Sequence, residues 1–289
     1  MCRLFGFRSI IPSQVHHSLL SAENALVWQS ERHPDGWGVA YYVGGIPHLI
    51  KTAETALQDT LFRRVSGIVS SHTVVAHLRK ATKGQNALMN SHPFQYGSWI
   101  FAHNGDIPSF AQYRGELIAR IDPVLRRFIL GDTDSEVVFY LILSHMSRAL
   151  GTRGKTLHQK GVEPEDVYEA IGAAIREVED VTGLSCKAPE EEGDNPRLLL
   201  SFVLTNGEVL LAHQGNKELF YSTHKVCCSE RDVCPSFGSS CESRSEAGQV
   251  INHLIFSSEE LHGDNVWTPM KPGQLLGVDT RMRRFEHQF

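Results

Sequence analysis

The spacing of apolar and polar residues divides the chain into a strand-rich start, a helical middle and a strand-rich end. Alternation over about four to eight residues is typical of a strand with one buried face. In the first third, this alternation predicts strands over residues 4–7, 39–43, 47–50, 74–78 and 99–103. Apolar residues at helical spacing predict helices between these strands, over residues 13–27 and 56–69.

The middle of the chain carries two longer helical patterns. One begins near Asp134 and continues to about Ala149, with apolar residues three and four positions apart. The other begins at Glu163 and Pro164, where proline suits the first turn and the acids that follow suit the positive end of the helix dipole. Gly183 is expected to end this second helix.

The last third returns to strand patterns after an acidic segment at residues 190–195. The predicted strands cover residues 198–205, 209–213, 219–222, 250–257, 275–279 and 283–287. Asn206 and Gly207 favour a hairpin with a two-residue type I′ turn. No repeat or linker interrupts the pattern, so one domain is expected over residues 1–289. In this domain residues 2–150 carry the motifs, and strands within 196–289 complete the fold.

The composition narrows the class of protein that these elements build. The 289 residues have a formal net charge of −5, with 41% hydrophobic and 21% charged residues, which argues for a globular chain and against disorder. Nucleic acid is not an expected partner, because phosphate contacts need a basic face. The longest apolar stretch, residues 137–143, is too short to span a membrane, and the start lacks a signal-peptide pattern. A cytoplasmic protein with free thiols is therefore expected.

The first candidate for chemistry is Cys2, which directly follows the initiator methionine. Removal of Met1 would leave a thiol and a free α-amine on one residue, and such an amine titrates near neutral pH. A thiol needs a base of this kind to become an effective nucleophile. The alternative is that Cys2 is a small apolar residue of a buried first strand.

Three further segments carry polar groups where predicted elements begin or end. Arg79 follows a strand, and its side chain is shaped to bind a carboxylate with two parallel hydrogen bonds. Asn104 and Gly105 end the next strand and form either an ordinary turn or an oxyanion hole. Asp132 and Asp134 precede a helix, where they either cap it or bind a substrate ammonium group.

Four cysteines lie close together near the end of the chain, which raises the question of a metal site. They are Cys227, Cys228, Cys234 and Cys241. Their spacing lacks the closely spaced cysteine pairs that structural zinc sites favour. A loop with unused thiols is the favoured interpretation, and no metal or other cofactor is expected.

Several motifs, in this order along the chain, resemble the glutaminase domain of the class II glutamine amidotransferases, which are N-terminal-nucleophile (Ntn) hydrolases. They are the cysteine at the processed terminus, HLRKAT at 77–82, NSHPF at 90–94, HNGD at 103–106 and TDSE at 133–136. DGWG at 35–38, FSSE at 256–259 and PGQLL at 272–276 are similar to segments of the family's stand-alone members. The resemblance implies an α+β fold, a four-layer αββα sandwich of two stacked, mainly antiparallel sheets.

The resemblance also implies a role for each motif residue. Cys2 would be the nucleophile and, through its amine, the base, while Asn104 and Gly105 would stabilise the oxyanion. Arg79 would bind the α-carboxylate of a glutamine or γ-glutamyl group, and Asp134, the aspartate of TDSE, its α-ammonium group. The residues that would shape the pocket are Thr82, His92 and Gly36. These roles imply amide hydrolysis through a γ-glutamyl thioester.

The sequence contains no phosphate-binding loop and no recognisable synthase domain after these motifs. The chain therefore either works with a separate synthase or hydrolyses a small γ-glutamyl compound directly. Such a compound could be glutamine or a conjugate of the kind found in ergothioneine or glutathione pathways. A third possibility is a non-catalytic subunit that binds a γ-glutamyl group, although such a subunit would have no need of a processed cysteine.

Overall fold

Two antiparallel sheets stack face to face in the computed structural model, which describes residues 2–81, 84–186 and 196–289. The strands of the first sheet, from edge to edge, are β11 (Thr268–Pro269), β9 (Phe220–Ser222), β10 (His253–Ser257), β1 (Arg3–Gln14), β4 (Ser70–Leu78), β2 (Trp37–Val43) and β3 (Ile46–Thr52). Those of the second are β13 (Arg284–Gln288), β12 (Gln274–Val278), β8 (Leu210–His213), β7 (Leu199–Thr205), β6 (Trp99–Asp106) and β5 (Phe94–Tyr96). The predicted strands are confirmed, most with shifts of a few residues at their ends, but the first strand extends seven residues beyond its predicted end.

The α-helices of the described residues lie outside the two sheets. They are α1 (Leu26–Gln29), α2 (Thr60–Ile68), α3 (Phe110–Arg120), α4 (Pro123–Arg126), α5 (Asp134–Thr152) and α6 (Pro164–Thr182). The longest, α5 and α6, pack on the second sheet, whereas α1 and α2 pack on the first. None of the helices in the described ranges combines the length and apolarity that crossing a bilayer requires.

Alternation along the strands explains the four layers. On β1, Leu4 points into the core between the sheets, and Phe5 points outward to the α1 and α2 side. On β6, Ala102 faces the same inter-sheet core, and Phe101 packs against the α5 and α6 side. Each sheet therefore buries both faces, which confirms the αββα sandwich of the α+β class.

The predicted helix over residues 13–27 is wrong. Strand β1 continues to Gln14, and Ser13 pairs with Ser71 on β4 after a register shift. The segment then contains only a π-helical turn, His17–Ser21, and the short α1. Pairing with β4 decides the conformation here, because local helix preference is weak compared with a ladder of main-chain hydrogen bonds. The helix predicted over 56–69 is shorter than expected, and it begins after Asp59, whose carboxylate caps it.

The two long helices confirm the local signals in the sequence. Helix α5 begins at Asp134 and runs three residues beyond the predicted end, to Thr152, with Thr133 as its N-cap. Helix α6 has Pro164 in its first turn and ends at Gly183, which has a left-handed φ of 69°. A glycine adopts this conformation without steric cost.

The hairpin between β7 and β8 is confirmed, but its predicted turn is not. Thr205 pairs with Leu210, so four residues connect the strands and not two. The Asn206 side-chain oxygen accepts hydrogen bonds from the Glu208 and Val209 N–H groups at 2.9 and 2.8 Å. This side-chain contact closes a longer turn than type I′ allows.

The strands after residue 196 belong to both sheets. Strand β10 pairs with β1 in the first sheet, and β7 pairs with β6 in the second. The last third of the chain thus supplies neighbours for the strands that carry the N-terminal motifs. The interpretation that residues 1–289 form a single domain stays a prediction.

Candidate active site

The candidate site lies where β1 begins and β4 ends, at the centre of the first sheet. Arg3 pairs with Leu78 and Leu4 with His77, so the antiparallel register places Cys2 opposite Arg79. The Lys80 N–H donates a hydrogen bond to Cys2 Sγ at 3.3 Å, and Sγ lies 3.5 Å from the Lys80 carbonyl oxygen. The half-buried Cys2 side chain is therefore held against the main chain that follows β4.

Opposing effects act on the acidity of the Cys2 thiol. Burial raises its pKa, because the thiolate loses solvation. The Lys80 N–H and the positive charge of Arg79 lower it, whereas the negative charge of Asp134 raises it. Arg79 and Asp134 both lie close enough to Sγ for their charges to act on the thiol. The net effect is a raised pKa, so this thiol needs a base to form its thiolate at neutral pH.

Contacts to the loop that precedes Asn90 fix the buried guanidinium of Arg79, which is 3% exposed. Nη1 donates to the Asn86 side-chain oxygen at 3.2 Å, and Nη2 donates to the Gln85 carbonyl oxygen at 3.4 Å. Burial lowers the pKa of Arg79, while negative charge on Cys2 opposes that shift. An arginine held in this way presents a cation with planar donor geometry beside the thiol.

Gly36, which directly precedes β2, holds the main chain of Arg79 through hydrogen bonds. Its carbonyl oxygen accepts from the Arg79 N–H at 2.8 Å, and the Asp35 N–H donates to the Arg79 carbonyl oxygen at 3.1 Å. Gly36 has a φ of 141°, and a Cβ there would lie 2.7 Å from the Thr52 carbonyl oxygen. Only glycine fits this approach without distortion, so Gly36 serves the site through the backbone.

Asn104 and Gly105 lie near the end of β6, on the facing sheet. Alternation from Ala102 turns the Asn104 side chain toward the inter-sheet space, as alternation from Leu4 turns Cys2. Asn104 is 6% exposed, and its side chain makes no hydrogen bond within the described ranges. A Cβ on Gly105 would collide with the Leu199 carbonyl oxygen. The Asn-Gly pair therefore belongs to a closely packed strand, and the alternative of an ordinary turn is wrong.

Asp134 is the first residue of α5 and is 4% exposed. Its Oδ2 accepts from the Ile107 N–H at 2.7 Å, and its Oδ1 accepts from the Ser135 N–H at 2.8 Å. The N-cap is Thr133, so Asp134 is not the capping residue itself. Asp132, in contrast, is exposed. Of the two aspartates, Asp134 is the one whose charge acts on Cys2.

His92 is buried next to His77, and the two rings are in contact at a tilt of 36° with a centroid separation of 4.2 Å. Burial lowers the pKa of His92 well below its ordinary value, so the ring is neutral at neutral pH. His77 Nε2 donates to the His103 carbonyl oxygen at 3.2 Å and so connects the two sheets. His92 thus packs against the histidine, His77, that links the two sheets. Thr82, which the resemblance also implied, lies outside the described residues.

The groups that hold the predicted residues in place were not expected from the sequence. They are the Lys80 N–H, the Gln85 carbonyl, the Asn86 amide, the Asn90 side chain and the His77 ring. Two of these are main-chain groups, which no residue type signals. His77 and Asn90 belong to the HLRKAT and NSHPF motifs, and their motif membership was the one available signal.

A separate cavity of about 610 Å³ lies at the other end of β1, beside the cysteine-rich loop. Cys228, Cys234 and Cys241 line it. The described part of the chain contains no group of three or more His, Cys, Asp or Glu residues placed to hold a metal ion. The six cysteines are free thiols.

The comparisons with known proteins identify the family of this chain. A family model described as class-II glutamine amidotransferases matches residues 1–179. A probable glutamine amidotransferase of Saccharomyces cerevisiae, DUG3, is 29% identical over 312 aligned positions, which cover 96% of this chain and 82% of that one. A γ-glutamyl-hercynylcysteine sulfoxide hydrolase of Mycobacterium tuberculosis is 33% identical over 99 residues, covering 34% and 37% of the two chains.

A solved structure shows the same fold. It is a glutamine aminotransferase class-II domain protein from Silicibacter pomeroyi, with a TM-score of 0.65 and 21% identity, and the match covers 100% of this chain and 98% of that one. Two facing sheets between helices, with a cysteine at the start of the central strand, define an Ntn-type amidotransferase fold. The chain belongs to the class II glutamine amidotransferases, a family of enzymes. Domains of this family often pair with a synthase partner.

Proposed function

We propose that this enzyme hydrolyses the γ-amide bond of glutamine or of a γ-glutamyl compound through a thioester on Cys2. The observation that carries the proposal is that the strand register places Cys2 opposite the buried cation Arg79, while the buried anion Asp134 also acts electrostatically on the thiol. A glutamyl group carries the complementary pair of charges, an α-carboxylate and an α-ammonium group. Arg79 binds the first and Asp134 the second, and the γ-carbonyl then lies at the thiol.

The reaction begins with loss of Met1, which frees the Cys2 amine. That amine takes the thiol proton, and the thiolate attacks the γ-carbonyl carbon. The Asn104 amide and the Gly105 N–H donate hydrogen bonds to the oxyanion that forms. The protonated amine then passes its proton to the leaving nitrogen, and ammonia or an amine departs.

The second half of the reaction releases glutamate. The Cys2 amine, neutral again, takes a proton from a water molecule, and the resulting hydroxide attacks the thioester carbon. The oxyanion forms at the same donors, the C–S bond breaks, and the proton returns to sulfur. Gly36 and His92 take no part in bond making, and they hold the pocket walls, as Thr82 is proposed to do.

We propose further that residues 1–289 act as one domain. The pairing of β10 with β1 and of β7 with β6 supports this, since the motif-bearing strands then depend on residues 196–289 for their neighbours. The nitrogen acceptor is either water or the substrate of a separate synthase protein, and the proposed substrate is a small molecule.

A dedicated γ-glutamyl conjugate hydrolase is the second candidate. Similarity to the hydrolase of Mycobacterium tuberculosis over 99 residues favours it, as that protein's name specifies a γ-glutamyl conjugate. The third possibility, a non-catalytic γ-glutamyl-binding subunit, does not explain why a thiol lies beside the charge pair.

The test is glutamate release by the purified, correctly processed protein. Glutamine is compared with a panel of γ-glutamyl conjugates, each with and without cell lysate. Fast cleavage of a conjugate that lysate does not change supports the hydrolase. Slow glutamine turnover that lysate accelerates, with amide nitrogen appearing in a product, supports a partner-dependent amidotransferase. Cleavage of none of them by protein with Cys2 as its first residue contradicts a catalytic function.

A further inference from the structure

Asn90 is the last residue of a short 3-10 helix, Leu88–Asn90. In the sequence this helix lies between Arg79 and Asp134, the two charged residues of the site. Asn90 is 1% exposed. Its side-chain Nδ2 donates to the Gln85 carbonyl oxygen at 3.0 Å, and its Oδ1 accepts from the Asp132 N–H at 2.9 Å. Both ends of one buried amide are therefore used, each by a different segment of the chain.

These two segments are the ones that hold the charges. The Gln85 carbonyl oxygen that accepts from Asn90 also accepts from Arg79 Nη2, at 3.4 Å. Asp132, whose N–H donates to Asn90, stands two residues before Asp134 in the same turn into α5. A continuous set of contacts therefore leads from the Arg79 guanidinium through Asn90 to the turn that carries Asp134.

Two glycines enclose the Asn90 amide. A Cβ on Gly84, where φ is 72°, would lie 2.9 Å from Asn90 Nδ2. A Cβ on Gly131 would collide with Asn90 Oδ1. The amide is thus packed on both sides, and small displacements of Asn90 are transmitted to the segments that it joins.

We propose that Asn90 is a positioning residue that fixes the separation between the Arg79 guanidinium and the Asp134 carboxylate, and so sets recognition of the α-amino-acid group. The proposal rests on the roles of Arg79 and Asp134 under the proposed function. It adds a residue that touches neither the substrate nor the reacting atoms.

The chemistry of the side chain explains why asparagine suits this position. An amide has a donor and an acceptor at the same distance from the main chain. Aspartate keeps the size and the acceptor for the Asp132 N–H, but it places an oxygen against the Gln85 carbonyl oxygen. Asn90→Asp therefore breaks the contact on the Arg79 side alone, while Asn90→Ala removes both contacts.

The experiment measures binding, so that it does not depend on turnover. In a Cys2→Ala background, dissociation constants are determined for glutamine and for glutaric acid monoamide, which lacks the α-ammonium group. With Asn90 intact, glutamine is expected to bind much more tightly than the monoamide. Asn90→Asp and Asn90→Ala are expected to reduce this ratio by about tenfold to a hundredfold, the effect of misplacing a binding group by about 1 Å.

Asn252 provides the matched control. Its Nδ2 donates to the Ser236 carbonyl oxygen at 2.9 Å and its Oδ1 accepts from the Ser240 hydroxyl at 3.2 Å, so both ends of its amide are also used, but by one loop beside the other cavity. Asn252→Asp is expected to lower the melting temperature and leave the ratio unchanged. A variant at position 90 that loses stability but keeps the wild-type ratio would overturn the proposal for Asn90. If the Cys2→Ala protein discriminates as expected, but the processed protein with Cys2 intact hydrolyses neither glutamine nor any γ-glutamyl conjugate, the proposed function alone is overturned.

Discussion

Asp134 Oδ2 accepts a 2.7 Å hydrogen bond from the main-chain N–H of Ile107, which lies directly after β6. This contact joins the first residue of α5 to the end of the strand that carries Asn104 and Gly105. The proposed ammonium-binding carboxylate and the proposed oxyanion donors are therefore held as one unit on the second sheet. Cys2 and Arg79 lie on the first sheet, so the site is assembled across the interface of the two sheets.

The thiol of Cys2 is expected to be essential for turnover. Cys2→Ala removes the nucleophile, and Cys2→Ser replaces it with a hydroxyl that ionises far less readily, so both should reduce glutamate release to near background. Among the described residues, the Cys2 thiol forms hydrogen bonds with Lys80 alone, so the melting temperature should change little. The control is Cys227→Ala, which removes an exposed thiol of the cysteine-rich loop. Wild-type turnover in Cys2→Ala would exclude Cys2 as the nucleophile.

Arg79→Lys is expected to lower kcat/KM nearly as much as a substitution that removes the positive charge. Lysine retains a positive charge, but it cannot offer the planar pair of donors that a carboxylate accepts. Removing one partner of a buried charged pair costs about 2–5 kcal/mol, equivalent to roughly 30-fold to several thousand-fold in kcat/KM. Arg153→Lys is a suitable control, because Arg153 forms an ion pair with Asp166 far from the thiol. If Arg79→Lys retains wild-type kcat/KM, Arg79 does not bind the carboxylate through a fork.

Asp134→Asn tests recognition of the α-ammonium group. Asparagine keeps one oxygen for the two N–H donors that Asp134 now satisfies, so helix α5 should still form with some loss of stability. Without the negative charge, glutamine should lose most of its advantage over glutaric acid monoamide as a substrate. Asp132→Asn, a substitution of the exposed neighbour, should leave this advantage intact. An Asp134→Asn enzyme that discriminates as sharply as wild type would limit Asp134 to its structural role at the start of α5.

Local signals predicted the parts of the fold that depend on neighbours in sequence. Helix α6 was predicted because Pro164 and Gly183 mark its ends, and most strands were predicted from their alternation. The continuation of β1 to Gln14 was not, because its pairing with Ser70 involves residues 56 positions away. Helix α3 was not predicted either, and its N-cap residue Ser109 has a left-handed conformation and makes no capping hydrogen bond.

In the site, too, local sequence signals were predictive and long-range contacts were not. Residue types and motif order indicated Cys2, Arg79 and Asp134, but not how the chain brings them together. The donor to Cys2 Sγ is the N–H of Lys80, and any residue except proline would supply it. The link through Asn90 depends on the path of a loop that encloses its amide. Such contacts follow from tertiary structure, and single-residue chemistry does not reveal them.

The stability of the fold should decrease in acid because of its buried histidines. Burial lowers the pKa of His77 to about 3 and the pKa values of His213 and His253 to about 4. The ordinary value in an unfolded chain is about 6.5, so the unfolded state binds more protons as the pH falls below that value. Each such histidine lowers the free energy of unfolding by up to about 1.4 kcal/mol per pH unit, from about pH 6.5 down to its folded pKa.

His77→Gln checks this dependence by chemical denaturation at several pH values. Glutamine keeps a donor for the His103 carbonyl oxygen but does not titrate. The slope of unfolding free energy against pH should therefore decrease by up to about 1.4 kcal/mol per pH unit, which corresponds to about one proton. Val75→Ala, in the same inter-sheet core, should lower stability by a similar amount at every pH and leave the slope unchanged. An unchanged slope in His77→Gln would show that His77 does not contribute to acid sensitivity.

Retention of Met1 should abolish activity as completely as loss of the thiol. In the unprocessed chain the Cys2 nitrogen is part of a peptide bond, and an amide nitrogen cannot accept a proton at neutral pH. The thiol, whose pKa burial raises, would then have no base. The measurement compares two preparations of wild-type sequence, one with Met1 retained and one with Cys2 first by mass spectrometry. Melting temperatures should agree, whereas glutamate release and the rate of Cys2 alkylation at neutral pH should both be much higher in the processed protein. Equal turnover by the two preparations would mean that another group, and not the Cys2 amine, removes the thiol proton.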